Sequence, residues 1–134
     1  VKDGACVVYG GRRTGTFYEP TVITHTTPQM KVNRNELFAP ALTISRHDAF
    51  EEAVHQVNSS LYGLQASVFT NNLRHVFYAY DHLEVGGVII NDVPSFRADN
   101  MPYGGVKESG TGREGVRYAM EEMTEPKLLV LNLS

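Results

Sequence analysis

The sequence predicts an α/β protein built on an open, mainly parallel βαβαβ sheet with flanking helices and a projecting C-terminal strand. Three observations carry this. Short strand-like runs at residues 41–45 (A-L-T-I-S), 65–69 (Q-A-S-V-F) and 87–91 (G-V-I-I-N) alternate with two helical patterns. The spacing from run to run is about two dozen residues, which suits right-handed crossovers between parallel strands. The apolar run from Leu128 to Leu133 has no crossover helix after it and no obvious partner among the other strands.

The elements follow in chain order. Cys6 to Tyr9 and Phe17 to Thr24 read as strands separated by the turn-rich residues 10–15. After the run at 41–45, Phe50, Ala53, Val54, Val57 and Leu61 recur at helical spacing and form one apolar stripe. Asp48 and Glu51 have the spacing of a capping box at its start, and Asn58-Ser59-Ser60 supplies a stop. Leu73, Val76, Phe77, Tyr80 and Leu83 mark a second amphipathic helix; Val116, Ala119, Met120 and Met123 mark a third, stopped by Pro126. Between the run at 87–91 and this last helix, residues 92–111 show little periodicity. Loops of that length in compact domains are usually functional or disordered, and this one leaves the carboxyl end of a parallel strand, where open α/β sheets bind ligands.

Composition excludes several classes. The 134 residues carry twelve Lys+Arg against fifteen Asp+Glu, a net charge of -3, which argues against nucleic acid as a partner. The apolar runs fall far short of the roughly 20 residues of a membrane span. One cysteine rules out an internal disulfide, and with no signal peptide visible the expected location is cytoplasmic. Cys6, in a strand-like apolar run, reads as a packed small hydrophobe and not a nucleophile. The histidines at 25, 47, 55, 75 and 82 lack metal-ligand spacing, so no metal site is expected. Residues 110–115 (G-T-G-R-E-G) match G-x-G-x-x-G, but a dinucleotide fingerprint needs a preceding strand and a following βαβ unit; the segment reads as a turn that starts the last helix. Residues 35–40 (N-E-L-F-A-P) leave two readings open. They are a helix end leading into a strand that Pro40 can begin, or a site in which Glu36 accepts hydrogen bonds from sugar hydroxyls while Phe38 packs on a flat heterocycle.

Four motifs then occur in order: E-L-F-A-P at 36–40, Y-G-L-Q-A-S-V-F-T at 62–70, G-G-V-I-I-N at 86–91, and M-P-Y-G-G-V-K-E-S-G-T-G-R-E-G at 101–115, closed by T-E-P-K-L-L-V-L. Over nearly its whole length the chain resembles the C-terminal part of the NAD(P)-dependent aldehyde dehydrogenase superfamily. F-R-A-D-N-M-P-Y at 96–103 looks most like the branch containing lactaldehyde and non-phosphorylating glyceraldehyde-3-phosphate dehydrogenases. The resemblance implies that residues 1–125 are part of the catalytic domain and residues 126–134 an oligomerisation strand. It implies a parent enzyme, with NAD or NADP as cofactor, that oxidises a small aldehyde to a carboxylic acid through a cysteine thioester. The nucleophilic cysteine and the general-base glutamate of the family lie upstream of the matched segment, so no catalytic residue is assigned here, and the isolated chain is expected to be inactive and to bind no cofactor. Carried over by position, Glu36 resembles the glutamate that holds the nicotinamide ribose, Phe38 the aromatic beside the nicotinamide, and Leu64 a leucine that contacts the nicotinamide region. Phe96, Arg97 and Tyr103 fall where the family lines its substrate tunnel. Arg97 has two candidate partners: a substrate carboxylate or phosphate, or Asp99 across a turn. The run from Leu128 to Leu133 implies self-association. The competing reading is a free-standing, non-catalytic binding or assembly module with the same fold.

Overall fold

A computed structural model describes residues 3–133. The chain divides into two compact units, Val1–Ser60 and Leu61–Ser134.

In the first unit, β1 (Cys6–Tyr9) is followed by a small hairpin, β2 (Arg13–Thr14) and β3 (Phe17–Tyr18), and then by β4 (Thr21–Thr24). The expected single strand from 17 to 24 is thus two strands with a corner at Glu19-Pro20. Pro20 has no N–H to donate, and Thr21 turns the corner: its buried hydroxyl donates to the Glu19 carbonyl (2.8 Å) and accepts from the Gly11 N–H (2.9 Å). β4 pairs antiparallel with β1, Cys6 opposite Thr24, and parallel with β5 (Ala41–Thr43), Thr21 opposite Ala41. A short helix, α1 (Lys31–Arg34), precedes β5, and α2 (Phe50–Asn58) follows it. The apolar stripe of α2 buries Val54. Its capping box does not form: the N-cap is Ala49, one residue past Asp48, and no side chain caps it. Glu51 and Glu52 instead place negative charge in the first turn, where the helix dipole favours it. Cys6 also departs from expectation. It is exposed, because β1 is the edge of its sheet and all four of its residues are exposed.

In the second unit, β6 (Tyr62–Gly63) pairs antiparallel with β9 (Val106–Lys107), and β7 (Gln65–Val68) pairs parallel with β8 (Gly87–Ile90). The crossover between β7 and β8 is α3 (Leu73–His82), which packs on β8 and buries Ala79 completely. Asn72 caps α3, its Oδ1 accepting from the Arg74 N–H at 3.0 Å. α4 (Val116–Glu122) closes the regular structure.

The α/β class therefore holds, with mixed sheets. The three strands expected in one sheet are shared between two: β5 runs parallel to β4, and β7 parallel to β8. β4 offers β5 a well-made edge, since the flanking bonds from Thr21 N–H to Pro40 O (2.8 Å) and from Ile44 N–H to Ile23 O (2.9 Å) extend the ladder at both ends. Residues 124–133 belong to no helix or strand. The strand expected at residues 126–134 does not form over its described part, and Ser134 lies outside the described residues. Leu128, Leu129, Val130, Leu131 and Leu133 are 70–91% exposed. Among the described residues no helix is long and apolar enough to cross a membrane.

The second unit is held by backbone meeting backbone. The Gly86 N–H donates to Gly63 O (3.1 Å) and Leu64 O (3.0 Å), and the Gly87 N–H to Leu64 O (3.2 Å). A Cβ on Gly86 would overlap the carbonyl oxygen of Gly104. Gly86→Ala is accordingly expected to destabilise the protein by about 1–3 kcal/mol, the usual range for overpacking a rigid site. Thermal unfolding checks this, and an unchanged melting temperature would contradict it.

Candidate functional site

Two groups of side chains carry chemistry, one in each unit. In the first, α1 ends at Asn35, whose N–H donates to Lys31 O (2.9 Å) and whose backbone is already extended (φ -107°, ψ 146°). The chain leaves the helix straight and is caught again at Ala39–Ala41, where the Ala41 N–H donates to Ala39 O (2.7 Å) and Pro40 O accepts from Thr21 (2.8 Å). Glu36 and Phe38 stand on the segment pinned between these two points. Glu36 is exposed and makes no ion pair among the described residues. Phe38 is 95% exposed. Burying such a ring is worth about 1.5–3 kcal/mol, so the segment presents an unsatisfied apolar face beside an unengaged carboxylate.

In the second unit, the loop after β8 brings Arg97 and Tyr103 together. The guanidinium carbon of Arg97 lies 4.8 Å from the centroid of the Tyr103 ring, a cation–π contact. Its Nη2 lies 3.1 Å from Oε2 of Glu114. Asp99, the partner considered from the sequence, is not the one chosen. Glu114 wins because its backbone is bridged to Tyr103, with N–H to carbonyl distances of 3.1 Å in one direction and 2.6 Å in the other. That bridge sets the carboxylate and the ring side by side under one cation. Sequence reasoning missed Glu114, since it placed the residue in a glycine-rich turn and no local periodicity links positions 103 and 114. Phe96 sits on the turn beside Arg97, its N–H donating to Val93 O (3.1 Å), with its ring half exposed. Leu64 lies at the junction of β6 and β7; its carbonyl is engaged by Gly86 and Gly87 while its side chain stays partly exposed.

The loop is fixed at both ends. At its start, Asn91 has φ 58°; its Oδ1 accepts from the Thr70 N–H (2.8 Å) and its Nδ2 donates to Thr70 O (3.0 Å). The Ser67 hydroxyl donates to Asp92 O. At its end, Arg113 donates from Nη1 to Gly105 O (2.9 Å) and Gly112 O (2.7 Å), and its own N–H is accepted by Glu122 Oε1 (3.0 Å). Gly112, at φ 74°, lies where a Cβ would meet the Glu122 carboxylate. The Ser109 hydroxyl accepts from the Gly63 N–H (2.9 Å), and Lys107 pairs with Glu84 at 2.7 Å. The glycine-rich run 110–115 is thus a staple leading into α4, as its sequence context suggests. Among the described residues, no cluster of three His, Cys, Asp or Glu could hold a metal ion.

The chain is similar over nearly its whole length to proteins of one family. Residues 1–129 match the model of the aldehyde dehydrogenase family. The 3-sulfolactaldehyde dehydrogenase of Priestia aryabhattai is 51% identical over 133 residues, 99% of this chain and 28% of that protein. The crystal structure of aldehyde dehydrogenase 21 from Physcomitrella patens, in complex with its reaction product succinate, superposes with a TM-score of 0.93 at 46% identity, over 97% of this chain and 27% of that one. The glyceraldehyde-3-phosphate dehydrogenase GapN of Methanocaldococcus jannaschii, complexed with NADP, gives a TM-score of 0.84 at 43% identity, over 91% and 26%. This chain spans little more than a quarter of the length of these relatives.

The amide clamp of Asn91 generates a prediction about the loop. Asn91→Ala removes both side-chain bonds to Thr70 and strains a left-handed position, and is expected to lower stability by about 1–3 kcal/mol. Asn91→Gly relieves the strain but not the lost bonds, so its effect is expected to be smaller. Unfolding midpoints of the two variants, with amide exchange at Thr70, check the order.

Proposed function

This chain belongs to the aldehyde dehydrogenase family, and from that premise we propose that it is the C-terminal portion of an NAD(P)-dependent enzyme oxidising a small aldehyde to a carboxylic acid. In this reading residues 1–125 complete the catalytic domain and residues 126–134 are the oligomerisation strand. The division of packing at Ser60 and Leu61 falls inside the first of these segments. The nucleophilic cysteine and general base belong to the upstream part of the parent, so the isolated chain is inactive.

The observation that carries the reading is the pinned, outward pair of Glu36 and Phe38. Its chemistry fits the ribose and nicotinamide end of a dinucleotide. An unengaged carboxylate can accept from two vicinal hydroxyls, and an exposed ring two residues away can cover a flat heterocycle. Leu64 is assigned to the nicotinamide region by its position in the family resemblance alone. The bound nicotinamide would supply the hydride acceptor; NADP in the GapN structure supports a cofactor of this kind. Arg97 takes the far end of the substrate. The relatives act on 3-sulfolactaldehyde or release succinate, both anionic at the end remote from the reacting carbon. A half-exposed guanidinium with a planar fork suits such a group, while Phe96 and Tyr103 give the tunnel aromatic walls.

In the full-length polypeptide, Glu36→Gln and Phe38→Ala are expected to raise the KM for NAD(P) several-fold with a smaller effect on the KM for aldehyde, read from nicotinamide reduction. The chain alone is expected to bind NAD only weakly, because a few contacts at one end do not offset immobilising a flexible dinucleotide. Equal shifts in both KM values, or micromolar NAD affinity of the chain alone, would count against the assignment.

Self-association follows from the exposed run ending at Leu133. An exposed, leucine-rich segment that belongs to no helix or strand is a template for a partner strand, and soluble proteins cover such segments. Replacing Leu129 and Leu131 together by lysine is expected to shift the assembly toward smaller species in light scattering. An unaltered mass would remove the segment from the interface.

A further inference from the structure

We propose that Glu114 is the positioning residue for Arg97, holding the guanidinium over Tyr103 before the substrate arrives. The inference rests on the assignment of Arg97 to the anionic end of the substrate and adds to it what makes that arginine competent.

An arginine on a loop, half exposed, ordinarily samples many rotamers, and any ligand it binds must bear the cost of ordering it. Arg97 is restrained from two directions. Its face lies on the Tyr103 ring, at 4.8 Å, and one edge is taken by the Glu114 carboxylate through Nη2, at 3.1 Å. Among the described residues Nη1 and Nε have no partner, so donors remain directed away from the ion pair for an incoming anion. The two restraints are not independent. Both main-chain bonds between Tyr103 and Glu114 run across the same bridge, so the ring and the carboxylate form one fixed seat. Behind Glu114, Arg113 ties the same turn to Gly105 and Gly112, and the Glu122 carboxylate holds the Arg113 N–H. The Glu114 side of the seat is therefore mounted on the staple.

The ion pair itself adds little to folding. With both side chains substantially exposed, water screens the attraction, and such pairs contribute next to nothing to stability. Its consequence is orientational. The ordering that the pair performs in advance corresponds to roughly a three- to tenfold difference in the concentration of anionic substrate required. An uncharged aldehyde does not use Arg97 and gains nothing from it.

The test is steady-state kinetics of the full-length enzyme with an anionic aldehyde, succinate semialdehyde or 3-sulfolactaldehyde, against neutral butanal. Glu114→Ala is expected to raise the KM for the anionic aldehyde three- to tenfold, with little change in kcat, and to alter kcat/KM for butanal much less. Glu114→Gln keeps an acceptor oxygen at the same reach and is expected to recover most of the loss. Combined with Arg97→Met, Glu114→Ala should add no further increase, as expected for residues acting as one unit. If Glu114→Ala damages both aldehydes equally, Glu114 serves the loop as a whole and the proposal fails. It fails likewise if Glu114→Ala leaves the anionic KM unchanged while Arg97→Met raises it. If Arg97→Met leaves that KM unchanged, the assignment of Arg97 itself falls. Should the alanine variant fail to fold, Glu114→Asp decides: its shorter carboxylate should give the selective increase, and a wild-type KM would overturn the proposal.

Discussion

The second unit rests on the contact of three stretches of bare backbone, around Gly63–Leu64, Gly86–Gly87 and Gly104. Hydrogen bonds from Gly86 and Gly87 converge on Leu64 and Gly63, and Gly104 presses against Gly86 where any side chain would intrude. The rest of the unit depends on this junction. β6 and β9 pair across one side of it, β7 and β8 across the other, and the loop bearing Arg97 and Tyr103 returns to it at Gly104. Among the described residues Val54 and Ala79 are the buried hydrophobics, and no large side chain is fully enclosed.

Much of this was legible in the sequence. The helical periodicities marked α2, α3 and α4 to within a few residues, because each needs an apolar stripe against its sheet. The parallel pairing of β7 with β8 followed from the crossover length. What was not legible was strand choice. β5 is equally apolar whether it joins β4 or β7, and the pairing with β4 is decided by bonds at Pro40 and Ile44 that composition does not encode. The capping box at Asp48 failed for a related reason: spacing alone cannot say at which residue the backbone turns into the helix.

The site shows the same split between local and non-local information. Glu36 and Phe38 were readable because they stand two residues apart on one pinned segment. Arg97 and Tyr103 were readable as residues of one loop, and the four motifs in order made the family recognisable. Glu114 was not readable as part of the site. Its role follows from a single bridge to Tyr103, eleven positions back in a stretch without periodicity. The residues with the plainest chemical character could be named as candidates from the sequence, whereas the contact between Glu114 and Arg97 required the fold.

Asn91 carries a consequence of a different kind. Its side-chain amide exchanges two hydrogen bonds with the backbone of Thr70 just beyond the last ladder pair, Val68 opposite Ile90. The amide therefore acts as one more rung of the ladder, and a rung that only one alignment can form. Sliding β8 along β7 by a single residue would carry Asn91 away from Thr70 and exchange the two faces of the strand. The pair is locked in register at its carboxyl end, so the length of chain between Thr70 and Asn91 can change only where α3 begins or ends. The side-chain amide thus joins the four ladder pairs in fixing where an insertion or deletion between the two strands must be absorbed.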